Sequence, residues 1–482
     1  METSQAARGR APADAPLETD YLVVGAGAMG MAFVDSLLSE QPEAQVLMVD
    51  RQHRPGGHWN HAYPWVRLHQ PSAWYGVASR ELGSVDKDTL GLNAGLYRMA
   101  TGTEVLTHFE QVMQQRFLPS GRVRWLPMTD YQRGADGTHR VVSHVGSQAR
   151  TVRVRRRLVD ATQLRPEVPS THPPRYARSP GVSCIPVNEL VSTPRAYARY
   201  TVVGSGKTGI DACLWLLEHG VAPAQIRWIM PRDAWMLDRA NYQPGLENFE
   251  RNMTHLADQF GAIAEAGTPA AVFARLEATG ALLRLDPTVE PTMYRCCTVT
   301  QDELTALRTI TDVVRLGRLR AIEPTRLELD RGSLPAVADT LYIDCSAAGI
   351  KPMPRLPVFD GERINLLLVR VCQPLFSAAL IAYVESHVDG DAARNAMCAA
   401  VPIPEVPRDW IVMWALTLAN TAQWAQHEGL SAWLRNCRLN SNAVMARGVT
   451  PDDQPRLALL AQVSALAQQA GARVPALLAM PS

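Results

Sequence analysis

The first recognisable pattern begins with an apolar run at residues 21–24, short enough for a buried strand, which leads into a glycine-rich turn at 25–30. Apolar residues then recur at helical spacing over 31–40, and a second short apolar run follows at 45–49. This order predicts a strand, a tight turn, a helix and a second strand, which is the arrangement of dinucleotide-binding units.

The same pattern returns later in the chain. An apolar run at 200–203 leads into a second glycine-rich turn at 204–209, followed by helical spacing over 210–219 and another apolar run at 225–230. The sequence therefore predicts an α/β protein with two dinucleotide-binding, Rossmann-like domains.

The residue types of the first turn fit phosphate binding. Gly25 permits the tight turn, Gly27 lets the backbone approach a pyrophosphate, and Gly30 lets the helix pack on the strand. The free N–H groups of the helix N-terminus favour an anion. Asp50 follows about 20 residues after the last glycine, at the expected place for a ribose-binding acid. Arg51, the next residue, is a further candidate for cofactor binding.

The second turn carries a different set of side chains. Its candidate cofactor-binding residues are Gly204, Ser205, Gly206, Lys207, Thr208 and Gly209. Arg232 stands after the following strand where the first unit has an acid, which predicts NADPH, because a nearby arginine accommodates the 2′-phosphate. Asp233 is adjacent and is an alternative ribose ligand. A degenerate copy that only packs is the other interpretation of this unit.

Residues 56–59 read GGHW, and residues 63–75 read YPWVRLHQPSAWY. These segments resemble the GGxW and YPGxxxDxPSxxY stretches of the class B flavin-dependent monooxygenases, the group of flavin-containing, N-hydroxylating and Baeyer–Villiger monooxygenases. The resemblance implies FAD at the first turn. It implies that a set of residues near the flavin binds this cofactor: Gly57, Trp59, Gln70, Ser72 and Tyr75.

Two residues are candidates for catalysis. His69 stands where Baeyer–Villiger members carry an aspartate, and it is either a proton-handling group or a histidine held by packing. The segment 225–239 also resembles the family, which suggests that Trp235 and Arg239 lie near the nicotinamide, although a loop anchored by a buried tryptophan is an equal interpretation. The family fingerprint FxGxxxHxxxY/F/W is absent around His172, so the chain is identified as a divergent member.

The rest of the chain is predicted from its patterning. The strand at 340–344 precedes a motif that includes Gly349, and the resemblance implies that Gly349 touches FAD. Residues 363–370 are predicted to form a strand, and the chain beyond 376 is predicted to be helical. Four tryptophans there either line a substrate pocket or, as the favoured interpretation, belong to the core: Trp410, Trp414, Trp424 and Trp433.

The predicted organisation is a disordered leader at 1–18, the first part of an FAD-binding domain at 19–165, an NADPH-binding domain at 166–335, and the second part of the FAD-binding domain with a helical C-terminal region at 336–482. The NADPH-binding domain contains an amphipathic helical insertion at about 241–306. This insertion either caps the active site or forms an oligomer contact, such as that of a homodimer.

Composition narrows the function further. The net charge of +1 does not favour a nucleic-acid partner, and no apolar stretch reaches the ~18 residues typical of a membrane span. The eight cysteines have no CxxC or CxxxxC spacing, which argues against a metal site, a disulfide scaffold or a redox dithiol and favours the cytoplasm. The adjacent Cys296 and Cys297 are interpreted as ordinary thiols.

Together, the motifs and the resemblance imply a monooxygenase that uses FAD, NADPH and O2 to insert one oxygen atom into a small organic substrate, by N-hydroxylation or Baeyer–Villiger oxidation. Two alternatives stay open. One is an NAD(P)H-dependent flavin oxidoreductase without oxygen insertion, and the other is a non-catalytic nucleotide-binding protein.

Overall fold

A computed structural model describes residues 16–164, 166–350 and 356–480. Most of the predicted leader lies outside these residues. Its last two positions, Leu17 and Glu18, already belong to the first strand. The strands are β1 (Leu17–Val24), β2 (Val46–Val49), β3 (Val123–Leu126), β4 (Thr129–Arg133), β5 (His139–Ser143), β6 (Ala149–Asp160), β7 (Ala177–Arg178), β8 (Cys184–Pro186), β9 (Arg199–Val203), β10 (Ile226–Ile229), β11 (Ala234–Asp238), β12 (Met293–Val299), β13 (Asp312–Val314), β14 (Leu319–Ile322), β15 (Arg326–Leu329), β16 (Gly332–Pro335), β17 (Thr340–Asp344), β18 (Phe359–Asp360) and β19 (Arg363–Asn365).

Helices connect and cover these strands. They are α1 (Ala28–Glu40), α2 (Gly102–Val112), α3 (Lys207–Glu218), α4 (Phe249–Glu265), α5 (Pro269–Ala278), α6 (Gln301–Arg308), α7 (Pro374–His387), α8 (Asp391–Met397), α9 (Pro407–Trp424), α10 (Glu428–Asn436), α11 (Ser441–Ala446) and α12 (Gln454–Ala479).

Two parallel sheets organise the molecule. The first has the order β18–β19–β6–β1–β2–β3 and is parallel from β19 to β3, while β18 pairs antiparallel with β19, β5 pairs antiparallel with the first residues of β6, and β4 pairs antiparallel with β5. The second has the order β13–β10–β9–β17–β8 and is parallel throughout. Both glycine-rich turns leave from an interior strand, β1 in one sheet and β9 in the other. The prediction of an α/β fold with two dinucleotide-binding, Rossmann-like units and a helical C-terminal region is confirmed.

Three details differ from the sequence-based expectations. The strand expected at 363–370 ends at Asn365, because the apolar residues that follow are buried without pairing in a sheet. The insertion at 241–306 contains β12, which pairs with β11. The second sheet includes β17, so the chain returns to the first sheet between Asp344 and Phe359, later than the expected boundary at 336.

The amphipathic face of the insertion packs inside the same chain. Phe249 and Met253 of α4 pack against Leu459 and Leu460 of α12, and Ile263 belongs to a neighbouring apolar cluster with residues of α9 and α12. The apolar face of α4 is therefore covered by the C-terminal helices.

Among the described residues, no helix is long and apolar enough to cross a membrane. The same part of the chain contains no group of three or more His, Cys, Asp or Glu side chains suited to a metal ion.

Candidate nucleotide-binding sites

The first turn requires glycine at two positions. Gly25 has a φ of +102°, and its N–H donates to the Val49 carbonyl oxygen at 2.8 Å. A Cβ atom on Gly30 would lie 2.1 Å from the Gly25 carbonyl oxygen. The turn can therefore hold α1 this close to β1 only because a glycine occupies each place.

The N-terminus of α1 is open to a ligand. The helix begins after Gly27, no side chain caps its first turn, and no acidic residue lies in that turn. Gly57 packs its backbone against the turn, since a Cβ on Gly57 would lie 2.9 Å from the Gly27 Cα atom. The two glycine segments thus meet by backbone contact, and the N–H groups of α1 are suited to a phosphate.

Asp50 faces this turn from the end of β2. Its carboxylate accepts the N–H of Ala26 at 2.6 Å and that of Gln52 at 2.8 Å. Burial raises its pKa above the usual value, although these hydrogen bonds act in the opposite direction. Arg51 is exposed and pairs with Asp130 rather than with a residue of the turn that it was predicted to serve.

The segment expected beside the flavin is well packed. The Trp59 indole N–H donates to the Tyr75 hydroxyl at 2.8 Å, and the two rings meet edge to face. The Ser72 hydroxyl donates to the Arg98 carbonyl oxygen at 2.9 Å, while Gln70 is half-buried. Trp59 and Tyr75 thus form a rigid pair close to the first turn.

The second turn repeats the backbone geometry of the first. Gly204 has a φ of +127°, and a Cβ on Gly209 would lie 2.1 Å from the Gly204 carbonyl oxygen. Gly206 precedes α3, is exposed, and has open space around it, while Ser205 and Thr208 are half-buried. Lys207 forms an ion pair with Asp211 one turn further along α3. No side chain caps α3, so its N-terminus is also open to an anion.

Beside each turn, a neighbouring strand ends in an aspartate, and the two aspartates accept the same pair of hydrogen bonds. Asp160 accepts the N–H and hydroxyl of Thr162 at 2.8 and 2.6 Å. Asp344 accepts the N–H and hydroxyl of Ser346 at 3.2 and 2.6 Å. Thr162 lies against Gly25, as a Cβ there would be 3.1 Å from its methyl carbon.

This correspondence corrects the expected position of Gly349. The segment that follows β17 packs on the second turn, because a Cβ on Gly204 would lie 2.4 Å from the Cys345 carbonyl oxygen. Gly349 itself has a φ of +62° and accepts the Glu167 N–H. Gly349 thus follows a strand of the second sheet, whereas Asp160, Ala161 and Thr162 contact the first turn.

His69 and Arg239 are close together. Arg239 is buried, donates to both Glu303 oxygens at 2.8 and 2.9 Å, and also donates to Asn93 and to the His69 carbonyl oxygen. Burial lowers the pKa of His69 to about 3, and the charges of Lys207 and Arg239 add to this effect. All of the Arg239 guanidinium is engaged by protein, so it positions the His69 segment.

The two units meet through α3. The Tyr63 hydroxyl donates to Asp211, the same carboxylate that pairs with Lys207. Trp65 stacks on Trp215 with ring centroids 5.6 Å apart. Burial raises the pKa of the Tyr63 hydroxyl well above its usual value, and Asp211 adds to the shift. The segment that resembles the flavin-binding stretch is thereby attached to the helix of the second turn.

Arg232 and Asp233 have different partners. Arg232 lies 3.3 Å from a Glu405 oxygen and is partly exposed. Asp233 is buried, and both of its oxygens accept hydrogen bonds from Arg315 at 2.8 and 3.0 Å. Asp233 is therefore committed to an ion pair, and Arg232 is the more accessible of the two residues.

The tryptophans and cysteines of the C-terminal region were also predicted. Trp410, Trp414 and Trp424 are buried, and Trp433 packs against the main core, in agreement with the favoured packing interpretation. The cysteine interpretation was wrong in one respect, because Cys296 and Cys372 form a disulfide. These residues are 76 positions apart and meet only through tertiary folding, which spacing alone does not reveal.

Comparisons with known proteins identify relatives over most of the chain. It is 48% identical over 424 residues to the uncharacterized proteins Rv2000 of Mycobacterium tuberculosis and Mb2023 of Mycobacterium bovis, which covers 88% of this chain and 78% of each relative. The chain belongs to the family of these mycobacterial proteins. No family model matches this chain.

Solved structures that are similar to this family member are more distant. A polycyclic ketone monooxygenase from Thermothelomyces thermophila is 13% identical, with 97% of this chain and 87% of that chain covered and a TM-score of 0.47. A flavin-containing monooxygenase from Stenotrophomonas maltophilia is 16% identical, with 86% and 99% covered and a TM-score of 0.41. A bacillithiol disulfide reductase from Bacillus cereus is 10% identical, with 77% and 100% covered and a TM-score of 0.46.

Several residues of these sites had not been singled out from the sequence. They are Tyr63, Asp211, Arg295, Glu303, Arg315 and Glu405. Asp211 lies four residues after Lys207 on a predicted helix, and this spacing predicts an ion pair. The others contact the sites across long separations in sequence and carry no local signal.

Proposed function

We propose that the protein is an FAD- and NADPH-dependent monooxygenase that inserts one oxygen atom from O2 into a small organic substrate. The observation that carries the proposal is the pair of glycine turns whose helices have no side-chain cap, each at the carboxyl end of parallel strands and joined by the Tyr63–Asp211–Lys207 contact. Doubly wound sheets bind dinucleotides at this edge.

FAD fits the first turn on this proposal. The N–H groups of α1 would hold its pyrophosphate, and Asp50 would hold its adenosine ribose after exchanging the Ala26 contact for a ribose hydroxyl. Trp59 and Tyr75 would limit water access near the ring system. When bound, FAD supplies hydride acceptance from NADPH and the activation of dioxygen.

NADPH fits the second turn. The α3 N-terminus would hold its pyrophosphate, and Arg232 would pair with its 2′-phosphate. Lys207 would orient Asp211 and, through it, Tyr63. With its pKa lowered to about 3, His69 is neutral at physiological pH and is suited to accept or donate a hydrogen bond without carrying charge.

N-hydroxylation and Baeyer–Villiger oxidation are the two reaction types that we propose. The same proposal includes a homodimer, a cytoplasmic location and the predicted domain limits other than those at 18 and 336, which the structure corrects. A second candidate is a nucleotide-binding protein without oxygen chemistry. The ion pair of Arg239 with Glu303 favours this second candidate, because the Arg239 guanidinium is already neutralised by a protein carboxylate and is not available to a reacting group.

NADPH consumption by the purified protein with FAD and air tests the proposal, with absorbance, oxygen uptake and peroxide release followed together. We expect NADPH to reduce the flavin, and oxygen uptake to proceed with little peroxide release. Arg232→Ala is expected to weaken NADPH-driven reduction by about tenfold, because it removes a charged phosphate contact. Arg275→Ala is the matched control, since Arg275 forms an exposed ion pair with Glu265 elsewhere.

Two outcomes would contradict the proposal in different ways. A yellow protein that neither NADPH nor NADH reduces would exclude the monooxygenase. A colourless protein that cannot be reconstituted with FAD would favour the non-catalytic candidate.

A further inference from the structure

Glu405 lies between two arginines at the carboxyl edge of the second sheet. One of its oxygens, Oε1, is 3.3 Å from Arg232 Nη2 and 3.4 Å from Arg295 Nη2. Arg232 follows β10, Arg295 belongs to β12, and Glu405 precedes α9. Three separate parts of the chain therefore bring two guanidinium groups within reach of one anionic atom.

Arg295 is held in place by the backbone. Its Nη1 donates to the carbonyl oxygens of Ala348 and Ile350, each at 3.1 Å, in the segment that follows β17 beside the second turn. Its Nε is buried and has no hydrogen-bond partner among the residues that the structure describes. Arg295 is thus a cation held by the segment whose first residue, Cys345, packs on the second turn.

The backbone of Glu405 is also fixed, which leaves only its side chain able to move. Its N–H donates to Asp409 at 2.9 Å, and its carbonyl oxygen accepts the Tyr294 N–H at 3.2 Å. The side chain is 36% exposed, so rotation about its own bonds would move the carboxylate into water. The adjacent Asp233 does not compete for these arginines, because Arg315 engages both of its oxygens.

We propose that Arg232 and Arg295 form a phosphate-monoester subsite, and that the Glu405 carboxylate occupies this subsite until a 2′-phosphate displaces it. This inference rests on the proposed binding of NADPH at the second turn. A phosphate monoester carries close to two negative charges at neutral pH, and guanidinium groups bind it with charge-assisted hydrogen bonds. The dianion therefore competes with one carboxylate for two cations, whereas the 2′-hydroxyl of NADH does not.

Glu405 is then a specificity-determining residue. Glu405 lowers the affinity for every ligand that must contact both arginines. The reduction in affinity is smallest for a dianion, which competes best with the carboxylate. NADH gains nothing from its displacement.

Calorimetric titration of the full chain tests the subsite with NADPH, NADH and 2′,5′-ADP, independently of flavin or oxygen chemistry. We expect Glu405→Gln to raise the affinity for NADPH and 2′,5′-ADP about fivefold, the size of a partly exposed ion pair, and to leave NADH unchanged. We expect Arg295→Gln to lower the affinity for both 2′-phosphate ligands about tenfold, also without effect on NADH.

Glu265→Gln is the matched control, because it removes the same charge from an exposed Glu–Arg pair on α4 and is expected to change no affinity. If Glu405→Gln leaves NADPH binding unchanged, or improves NADH binding equally, the subsite is wrong. If NADPH binds and depends on Arg232 but not on Arg295, the subsite fails while the proposed function stands. If no variant binds any of the three ligands, the subsite and the nicotinamide part of the proposed function are both wrong.

Discussion

The two glycine turns share their backbone and differ in what surrounds them. In each, a positive φ at the first glycine and a 2.1 Å approach at the last exclude a side chain. The first turn is backed by Gly57 and receives the Asp50 carboxylate. The second turn is open at Gly206, and at the place of Asp50 it has Met230, followed closely by Arg232.

This difference separates two kinds of constraint. Steric contact between the helix and the strand requires the same glycines in both units, whatever the ligand. The chemistry of the ligand is set at the strand ends, where the first unit offers an acid and the second offers arginines. Motif spacing therefore predicts that a dinucleotide binds, while the edge residues predict which one.

The buried ion pair of Arg239 with Glu303 gives the largest expected effect. Arg239→Met would leave Glu303 buried without its partner, so we expect a loss of about 3–5 kcal/mol in the free energy of unfolding. Urea denaturation measures this loss. The control Arg275→Met breaks an exposed pair and is expected to cost less than about 1 kcal/mol. Equal effects of the two variants would contradict the expectation that the buried Arg239–Glu303 pair stabilises the fold more than an exposed pair does.

The steric part of the comparison is tested by alanine at paired glycines. Gly30→Ala and Gly209→Ala each place a Cβ 2.1 Å from a carbonyl oxygen, and we expect each to cost about 1–3 kcal/mol of stability. Gly206→Ala meets nothing within 4 Å and is the control in the same turn. Thermal unfolding is the measurement, and a Gly206→Ala loss as large as that of Gly209→Ala would contradict the expectation.

The chemical part of the comparison is tested by removing the charged side chain that follows each strand. Asp50→Asn is expected to weaken FAD binding about tenfold and to leave NADPH binding unchanged, and Arg232→Gln is expected to do the reverse. Each variant is the control for the other. Fluorescence titration of both cofactors measures the effects, and a variant that weakens both equally would show that the two sites are not independent.

A further expected effect concerns pH. Because the pKa of His69 is lowered to about 3, the unfolded chain binds a proton below about pH 6.5 that the native chain does not. Stability therefore falls as the pH drops from about 6.5 towards 3, and His69 contributes up to about 1.4 kcal/mol per pH unit. We expect His69→Gln to reduce this slope in urea denaturation, with His172→Gln as a surface control. An unchanged slope would contradict the expectation.

Local pattern predicted much of this molecule, and long-range contact accounts for what it missed. Strand β17 was predicted at its observed limits, and both glycine turns lie where spacing indicated. The apolar run at 366–369 was predicted to belong to a strand, because burial in a loop and burial in a sheet select the same residues. The Arg295–Glu405 pair joins residues that have no periodic relation, so only the tertiary structure brings them together.

The order of elements along the chain has a consequence for how the protein is made. Every strand of the second parallel sheet is synthesised by Asp344, so that sheet is complete while the ribosome is still translating the last third. The first sheet begins earlier but still lacks β19, and α1 lacks α7, which packs against it. Tyr21, for example, donates to Glu385, 364 residues later. On a nascent chain, the unit that starts first is therefore the one that finishes last.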